Sequence, residues 1–488
     1  MKTFGSLKTN LERVDFGYED LQKYNMFYEF EKDDKNDTTS TKKRENGNVL
    51  FKEGKYREAL DCYTVCILTA KTRRALSLAY ANRSAALARL NLHNECLEDI
   101  ERAFENGYPD DLKPKLIARR ERSEAEKTAK TRNYEPVPKF PDSEKSDSNP
   151  NVRNCIKMAI DNQFGRHMVA CRNIKIGEIL AVDEPSAAVM NDQIYVHCHE
   201  CFELCYNLIP CDSCTQALYC NVDCKKKAFE AYHKYECPIL STLLKNIDDP
   251  KLLALKLVFL GKDLDLETHA ERRTDENLYV RAVVAAAIFR LVKTHTSFFD
   301  SGVDEDRTKE LILKSMLLSA VNSANIRELS PGMLSFKPFA TAIFPNFACF
   351  NHSCWPNVVQ ECYGSMKVLR AINSINKGEQ CFISYGPHYW DQEKGKRLAF
   401  LAQHHFFKCV CQACERDWPL AYSTGNLIGA FATMLQLLHF DVNRAQKQLP
   451  NLLREAKKSE RASLPGKDAL SKMLLMQCYQ IFGNKRQI

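Results

Sequence analysis

The feature that most constrains this chain is a run of metal-ligand side chains between Cys198 and Cys237. Seven cysteines and one histidine have the spacing C-x2-C-x9-C-x2-C-x5-C-x3-C-x8-H-x3-C. Eight soft ligands are enough for two tetrahedral zinc sites, because a C-x2-C pair sets two sulfurs at the angle that one zinc ion needs. A cysteine-rich core without metal has no reason to adopt this pairing. The segment therefore predicts two zinc ions, and the spacing alone leaves their pairing open.

The composition favours metal binding over disulfide formation. The chain has 488 residues, enough for two to four domains, and 21 cysteines. Its start, Met1-Lys2-Thr3, does not resemble a secretory leader, so disulfides are not expected. The net charge of +7 is modest and gives direct nucleic-acid binding little support. The longest apolar run, residues 282–289, is too short to cross a bilayer. We expect a protein of the cytoplasm and nucleus, without a membrane partner.

A third cysteine cluster lies far downstream, in the stretch CVCQAC. It supplies Cys409, Cys411 and Cys414, whereas a closed structural zinc site needs four ligands. Cys354, in the stretch NHSCWPN, is the candidate for the fourth. This hypothesis predicts that one zinc ion fastens residues 409–414 to residues 351–354.

The residues around Cys354 resemble the catalytic half of a SET domain. The shared motifs are Asn351-His352-Ser353-Cys354, Gly378-Glu379 and Tyr385-Gly386, with predicted strands in MKVLRAI and CFISY. Residues 161–185 resemble the first SET strands, residues 198–237 resemble a MYND zinc finger, and CVCQAC resembles a post-SET element. This layout resembles the SET-and-MYND protein-lysine methyltransferases, of the type that carries tetratricopeptide repeats.

The resemblance implies an α+β multidomain fold, in which a β-rich SET domain is split by a MYND finger and a helical insert and flanked by helical regions at both ends. We expect these boundaries: an extension over 1–43, partly disordered and with a loop at 31–43; repeats over 44–130; a linker over 131–150; the first SET part over 151–197; the finger over 198–237; the insert over 238–330; the catalytic SET part over 331–390; the post-SET element over 391–418; and a short helical region over 419–488.

The resemblance also implies how three zinc ions are bound. One set comprises Cys198, Cys201, Cys220 and Cys224; the second comprises Cys211, Cys214, His233 and Cys237; the third comprises Cys354, Cys409, Cys411 and Cys414. Cys205 and His199 are left over and are not expected to be ligands.

The implied activity is methylation of protein lysines with S-adenosylmethionine, on histone or non-histone targets and with a role in transcriptional regulation. Tyr385 takes the position of the catalytic tyrosine. The implied cofactor contacts are Gly165, Arg166, His167, Asn322, Asn351, His352, Tyr385 and Phe407. Two positions depart from the family pattern: His167 replaces a glycine, and His405 stands where a channel tyrosine is common. For Asn322, an ordinary helix-surface amide is an equal alternative.

The N-terminal residues predict two helical repeats and a third helix that starts near Lys113. Residues 44–70 and 79–109 share small and aromatic positions at an offset of 37 residues, as in tetratricopeptide repeats. Their polar positions resemble the clamp that binds the terminal carboxylate of chaperone peptides. The clamp residues would be Arg44, Asn48, Asn82, Lys115 and Arg119. A solvated basic helix face is the alternative.

Two other classes of function remain open. In the first, the SET fold is idle, and the protein is a scaffold that links chaperones to transcriptional repressors through its repeats and through proline-rich peptides bound by the MYND finger. In the second, which only the cysteine count suggests, the protein is a redox or zinc-buffering protein.

Overall fold

The computed structural model describes residues 3–128, 133–191, 195–330, 336–420, 441–459 and 465–486. Within these ranges, no helix has the length and apolar character needed to cross a membrane. The helices are α1 (Asn10–Tyr24), α2 (Asp37–Lys52), α3 (Tyr56–Thr69), α4 (Arg73–Arg89), α5 (His93–Glu105), α6 (Lys113–Glu126), α7 (Val222–Ala228), α8 (Lys234–Glu236), α9 (Leu240–Asn246), α10 (Asp249–Phe259), α11 (Asp275–His295), α12 (Glu305–Asn322), α13 (Lys394–His405), α14 (Gln412–Glu415), α15 (Val442–Ser459) and α16 (Pro465–Phe482).

The N-terminal extension is more ordered than the sequence predicted. Thr9 and Glu12 form a reciprocal capping box at the start of α1, and α1 buries one face against α11 and α12. The prediction of a loop over 31–43 is wrong for residues 37–43, because α2 begins at Asp37. The Asn36 side chain accepts from the first backbone N–H groups of α2, and Asp37 accepts from two backbone N–H groups that precede α4. Such local caps outweigh the polar composition of this stretch.

Helices α2 to α5 form two consecutive antiparallel pairs, and α6 packs against the second pair. The positions coincide with the two predicted repeats and the predicted third helix. Gly47 of α2 is required by close packing, because a Cβ there would lie 2.6 Å from the Tyr63 ring of α3. The assignment of these helices to the tetratricopeptide family stays a prediction.

Two antiparallel sheets form the β-rich centre. The larger has the strand order β1-β2-β5-β13-β12, and the smaller has the order β6-β10-β9. Short pairs β3-β4 and β7-β8 and the parallel pair β11-β14 complete it. The strands are β1 (Lys145–Ser146), β2 (Asn149–Arg153), β3 (Ile156–Asp161), β4 (Gly165–Ala170), β5 (Ile179–Asp183), β6 (Ala187–Met190), β7 (Ile209–Pro210), β8 (Leu218–Tyr219), β9 (Ser323–Leu329), β10 (Phe336–Ile343), β11 (Asn351–His352), β12 (Val358–Tyr363), β13 (Met366–Ala371) and β14 (Phe382–Ile383).

Two predicted boundaries are corrected by these strands. The linker over 131–150 ends earlier, because β1 starts at Lys145 and pairs with β2. The helical insert ends at Asn322, because residues 323–329 form β9 and pair antiparallel with β10. In both places the segment is identified as a strand by its pairing with the next strand along the chain. Strand pairing, rather than local propensity, therefore decides these ends.

The C-terminal helices close the molecule against the larger sheet. Apolar residues of α15 and α16 form one buried cluster with Val359 of β12 and with Ile372. The predicted helix in DALSKMLLMQCYQIF is confirmed as part of α16, whereas the one in NLIGAFATMLQLLHF lies outside the described residues. After α16, the Asn484 side chain donates to the carbonyls of Arg327 and Gly364. The C-terminal segment thus joins β9 to the β12–β13 turn.

Candidate active site and metal centres

The first predicted ligand set comes together as a compact cluster. The sulfurs of Cys198, Cys201, Cys220 and Cys224 all lie within 4.8 Å of one another. The Sγ–Sγ distance is 3.7 Å between Cys201 and Cys220 and 3.5 Å between Cys220 and Cys224. A tetrahedral zinc ion with Zn–S bonds of about 2.3 Å requires sulfurs about 3.8 Å apart. The donor set and its dimensions fit zinc.

The second set contains the predicted histidine. The ligand atoms of Cys211, Cys214, His233 and Cys237 lie within 4.8 Å of one another. His233 ends a π-type turn between α7 and α8, and its Nε2 lies 3.5 Å from the Cys214 sulfur. Its Nδ1 donates to the carboxylate of Glu236 at 2.9 Å, which fixes the ring orientation. Glu236 was missed by the sequence reasoning, although its position three residues after His233 on a helix was a usable signal.

The two left-over residues remain outside both clusters. The Cys205 thiol donates to the Asn207 side chain at 3.1 Å. The His199 ring packs edge-on against the rings of Tyr219 and His233. Among the described residues, neither belongs to a cluster of possible ligands, and their exclusion from zinc binding stays a prediction.

The third set joins two distant parts of the chain. The Cys354 sulfur lies 3.6 Å from that of Cys414 and 4.0 Å from that of Cys409, and Cys411 completes the cluster. The predicted partnership across more than 50 residues is thus present in the fold. All 21 cysteines are free thiols, so disulfides do not explain the clusters. The buried Arg397 of α13 lies 3.7 Å from the Cys414 sulfur, where its positive charge stabilises a thiolate. No signal in the sequence pointed to Arg397.

His352 connects the third cluster to the predicted catalytic tyrosine. Its Nδ1 accepts from the backbone N–H of Tyr385 at 3.0 Å, so the ring proton lies on Nε2, which is 3.3 Å from the Cys354 sulfur. Burial lowers the pKa of His352 to about 3, in accord with a neutral ring. The parallel pairing of β11 with β14 brings these residues together.

Tyr385 lines a cavity of about 330 Å³. Its hydroxyl donates to the Phe350 carbonyl at 2.9 Å. Its ring centroid lies 4.7 Å from that of His405 and 5.3 Å from that of His352. Burial raises the pKa of the Tyr385 phenol, so the hydroxyl keeps its proton at neutral pH. The group can therefore orient a ligand by hydrogen bonding.

Half of the lining residues come from three parts of the chain. These are the start of β9, strand β12, and α16 together with Asn484 just beyond its end. Met476, Gln480 and Asn484 follow at intervals of four residues, the spacing of one helix face. The C-terminal region therefore contributes a wall of this cavity, which the sequence left undecided.

Several predicted cofactor residues lie on the elements around Tyr385 but do not line this cavity. Gly165, the first residue of β4, has φ +63°, and a Cβ there would meet nothing within 4 Å. The Asn351 amide donates to the carbonyl of Phe164 at 3.0 Å, which ties the turn before β4 to β11. The Phe407 ring centroid lies 6.0 Å from that of His352. Open space over a glycine turn, an amide and an aromatic ring fit an adenosyl cofactor.

Three further predicted cofactor residues make contacts within the protein. Arg166 forms an ion pair with Asp265 at 3.0 Å, and the buried His167 ring donates from Nδ1 to the Gly165 carbonyl at 2.9 Å. Asn322 lines the cavity and donates to the Glu267 carbonyl at 2.7 Å. The cofactor roles of all eight residues stay predictions.

The predicted clamp residues are partly engaged with one another. The Asn48 side-chain oxygen accepts from Asn82 at 2.8 Å and from the Tyr63 hydroxyl at 2.9 Å. Arg119 donates to the Ala81 carbonyl and the Ser84 hydroxyl of α4. The structure thus brings the two asparagines together but commits Arg119 to an internal contact. Arg44 is half-buried and Lys115 is exposed, and a peptide-binding role for this set stays a prediction.

The similarity of this chain to known proteins agrees with the geometry of the site. Residues 165–386 match the SET domain family. The chain is 27% identical over 499 residues to the protein-lysine N-methyltransferase SMYD4 of Danio rerio, covering 78% of this chain and 66% of that protein. It is 30% identical over 271 residues to the N-lysine methyltransferase SMYD2-B of Xenopus laevis, covering 51% and 58%. The chain thus spans just under two thirds of the first relatives.

A solved structure, the SET domain of LSMT bound to lysine and AdoHcy, matches with 11% identity and a TM-score of 0.26, covering 67% of this chain and 85% of that one. This score is too low to support an argument. The match over residues 165–386 and the relatives agree with the ligand clusters and the placement of Tyr385. Over residues 165–386 the chain is therefore similar to SET domains, and over most of its length it is similar to the SMYD4 protein-lysine N-methyltransferases.

Proposed function

We propose that this protein is an S-adenosylmethionine-dependent protein-lysine N-methyltransferase. The observation that carries the proposal is the position of Tyr385. It lines a cavity, its hydroxyl is held on the Phe350 carbonyl, and its backbone is held by His352 of the motif that was predicted to bind the cofactor. The names of the relatives, which are lysine methyltransferases, support the same activity.

The cofactor would be held beside Tyr385 by residues that do not line the cavity. Gly165 and Asn351 would approach it with backbone and amide groups, and Phe407 would cover its adenine. S-adenosylmethionine supplies, when bound, an electrophilic methyl group on a sulfonium ion. The surrounding residues exclude water and fix the position at which a substrate amine meets this group, which is catalysis by positioning.

The cavity favours a neutral substrate amine. A free lysine has a pKa of about 10.4, and an environment of low polarity disfavours its charged form. Burial lowers the pKa of His405 to about 4 and that of His388 to about 3, so both imidazoles are neutral at pH 7. Because Tyr385 keeps its proton, its oxygen can still accept from an amine N–H while it donates to Phe350. These groups therefore hold and orient the amine and leave its lone pair available.

Three zinc ions would complete the protein as structural elements. All three sets offer four protein ligands, which is the composition of closed sites rather than catalytic ones. The third ion would fasten the segment that carries His405 and Phe407 beside Tyr385. The zinc count and the cofactor stay part of this proposal.

The test compares methyl transfer from labelled S-adenosylmethionine to lysate proteins by wild type and Tyr385→Phe. Loss of the hydroxyl should lower the rate about 100-fold or more, since it removes a positioned hydrogen-bonding group from the reaction centre. Tyr24→Phe, at an exposed tyrosine of α1, is the matched control and should leave the rate unchanged. Equal labelling by wild type and Tyr385→Phe would exclude this activity.

A second candidate function is peptide binding by the N-terminal repeats. Loop 206–208 of the finger packs on α4 and α5, where Arg83 and Arg102 donate to its carbonyls. The polar face with Asn48 and Asn82 lies on α2 and α4, apart from the ion pairs that hold this loop.

A peptide with a free terminal carboxylate should bind more tightly than its amidated form, and Asn82→Ala should abolish the difference. Equal binding of both peptides would exclude the clamp. Binding of proline-rich peptides by the finger stays a prediction.

A further inference from the structure

The charged side chains among the described lining residues give the cavity beside Tyr385 a positive charge. Its charged members are Arg327 and Glu361. The Glu361 carboxylate is buried and lies 3.1 Å from the guanidinium Nε of Arg370, which neutralises it. The lining imidazoles, His388 and His405, are neutral as described above. The Arg327 guanidinium therefore supplies the main charge that a ligand in this cavity meets.

A second cation lies directly beneath the cavity floor. Lys367 is buried, and its Nζ donates to the Gln360 side chain at 2.5 Å and to the Asn325 carbonyl at 3.3 Å. Both acceptors line the cavity. Among the residues that the structure describes, Lys367 forms no ion pair. Burial lowers its pKa to about 8, which still leaves the ammonium predominantly charged at pH 7. Its field adds to that of Arg327, and the Asp183 carboxylate on the neighbouring strand offsets part of it.

Arg327 lies further along β9 than Ser323, at which this strand starts, and both residues line the same cavity as Tyr385. Asn322, which precedes Ser323, lines it as well. The neighbours Ile326 and Glu328 are buried, so the alternation of the strand directs Arg327 outward. Ser323 and Arg327 are four residues apart, which is about 13 Å along a strand at about 3.3 Å per residue. An extended peptide spans the same distance in about four residues.

We propose that the cavity selects protein segments that carry an acidic side chain about four positions from the acceptor lysine, bound by Arg327. The inference rests on the proposed function, since it assumes that the acceptor lysine is placed beside Tyr385. A carboxylate can accept two parallel hydrogen bonds from a guanidinium, so this pairing gives geometric selection as well as charge attraction. The cation below the floor adds to the preference for an acid over a neutral or basic residue.

The test measures binding of short fluorescein-labelled peptides by fluorescence anisotropy, with the full chain. Each peptide has one central lysine and carries Glu, Gln or Lys about four positions to either side. Wild type should bind the Glu peptide about three- to tenfold more tightly than the Gln peptide, and the Lys peptide most weakly. Arg327→Gln should remove the preference, and Arg327→Glu should reverse it. Arg454→Glu, at an exposed arginine of α15 outside the cavity lining, should keep the order of wild type.

Two results would overturn the inference. One is equal binding of the Glu and Lys peptides by wild type, or no binding of either. The other is an unchanged preference for the Glu peptide in the Arg327→Glu variant, when the thermal unfolding of this variant matches that of wild type. Failure of the proposed function gives a different result. In that case the peptides would still bind with the Glu preference and its reversal, but no methyl group would be transferred to any of them.

Discussion

The join between the N-terminal helices and the zinc finger depends on one buried carboxylate. Asp99 of α5 accepts from Arg83 at 2.6 and 3.0 Å and from Arg102 at 2.9 Å. The two arginines also donate to the carbonyls of Leu208 and Asn207 in the finger. The side chains of Arg83 and Asp99 are both 0% exposed. Asp99→Ala would therefore leave a buried guanidinium with its charge uncompensated.

The expected loss of stability follows from this burial. Removal of one member of a buried ion pair costs about 3–5 kcal/mol, because the remaining charge stays desolvated. The double substitution Arg83→Met with Asp99→Leu should recover most of the loss, since it removes both charges and keeps apolar volume. Glu101→Ala on the same helix is the control, because Glu101 pairs with Arg120 at the surface and its loss should cost less than about 1 kcal/mol.

The assay is urea unfolding followed by circular dichroism, together with hydrogen exchange resolved by peptide. A chain of several domains need not unfold in one step, so hydrogen exchange shows where protection is lost. In Asp99→Ala we expect faster exchange in α4, in α5 and in residues 206–210 of the finger. The reasoning is refuted if Asp99→Ala is as stable as Glu101→Ala, or if the double variant is less stable than the single one.

Two further predictions concern the third metal cluster and a buried carboxyl. Cys354→Ser should lower the zinc content, measured by atomic absorption, by one ion per chain, whereas Cys205→Ser should leave it unchanged; equal content in both variants would contradict the ligand assignment. Burial raises the pKa of Asp183 to about 6, above its unfolded value of about 3.8, so the folded state binds this proton more tightly and is destabilised as the pH rises from about 4 to 6. A shift of about two units corresponds to about 3 kcal/mol between pH 4 and 7, and Asp183→Asn should lack this contribution in urea unfolding at the two pH values. An identical pH dependence in both proteins would contradict the assignment.

Short-range covalent constraints explain which parts of the site the sequence could predict. In a Cys-x2-Cys pair, two ligands are close wherever the chain goes, so the ligands of the finger could be named before any fold was known, whereas their division into two sets came from the resemblance to a MYND finger. Cys354 could be assigned because a structural zinc site needs a fourth ligand, and that requirement holds at any sequence separation. Residues such as Arg397 and Asn484 were missed because their partners are set by the packing of α13 and α16. Their side chains alone do not distinguish them from surface residues.

The same distinction explains the errors in the fold. Helices with a strong apolar period, such as α5 in the second predicted repeat, lie where the sequence predicts them, because the pattern lies within the helix. Strand β9 was assigned to the helical insert, because the pattern of its apolar positions is explained only by its pairing with β10. The N-terminal stretch at 37–43 is polar throughout, and its helix depends on a cap at Asn36 and on contacts from the residues before α4.

The order of residues in the stretch NHSC follows from the chemistry on its two sides. Successive side chains of an extended segment point in opposite directions, so His352 and Cys354 lie on one side while Asn351 lies on the other. Asn351 reaches the turn at Phe164, on the side predicted to hold the cofactor, whereas the His352 ring spans the gap between the Cys354 sulfur and the backbone of Tyr385. A zinc ion on Cys354 would polarise this sulfur and align the Nε2–H of His352, which leaves Nδ1 to accept from Tyr385. The position of the tyrosine is thereby linked through a single imidazole to the cysteines at 409–414, which explains why one short stretch contains both a metal ligand and a predicted cofactor contact.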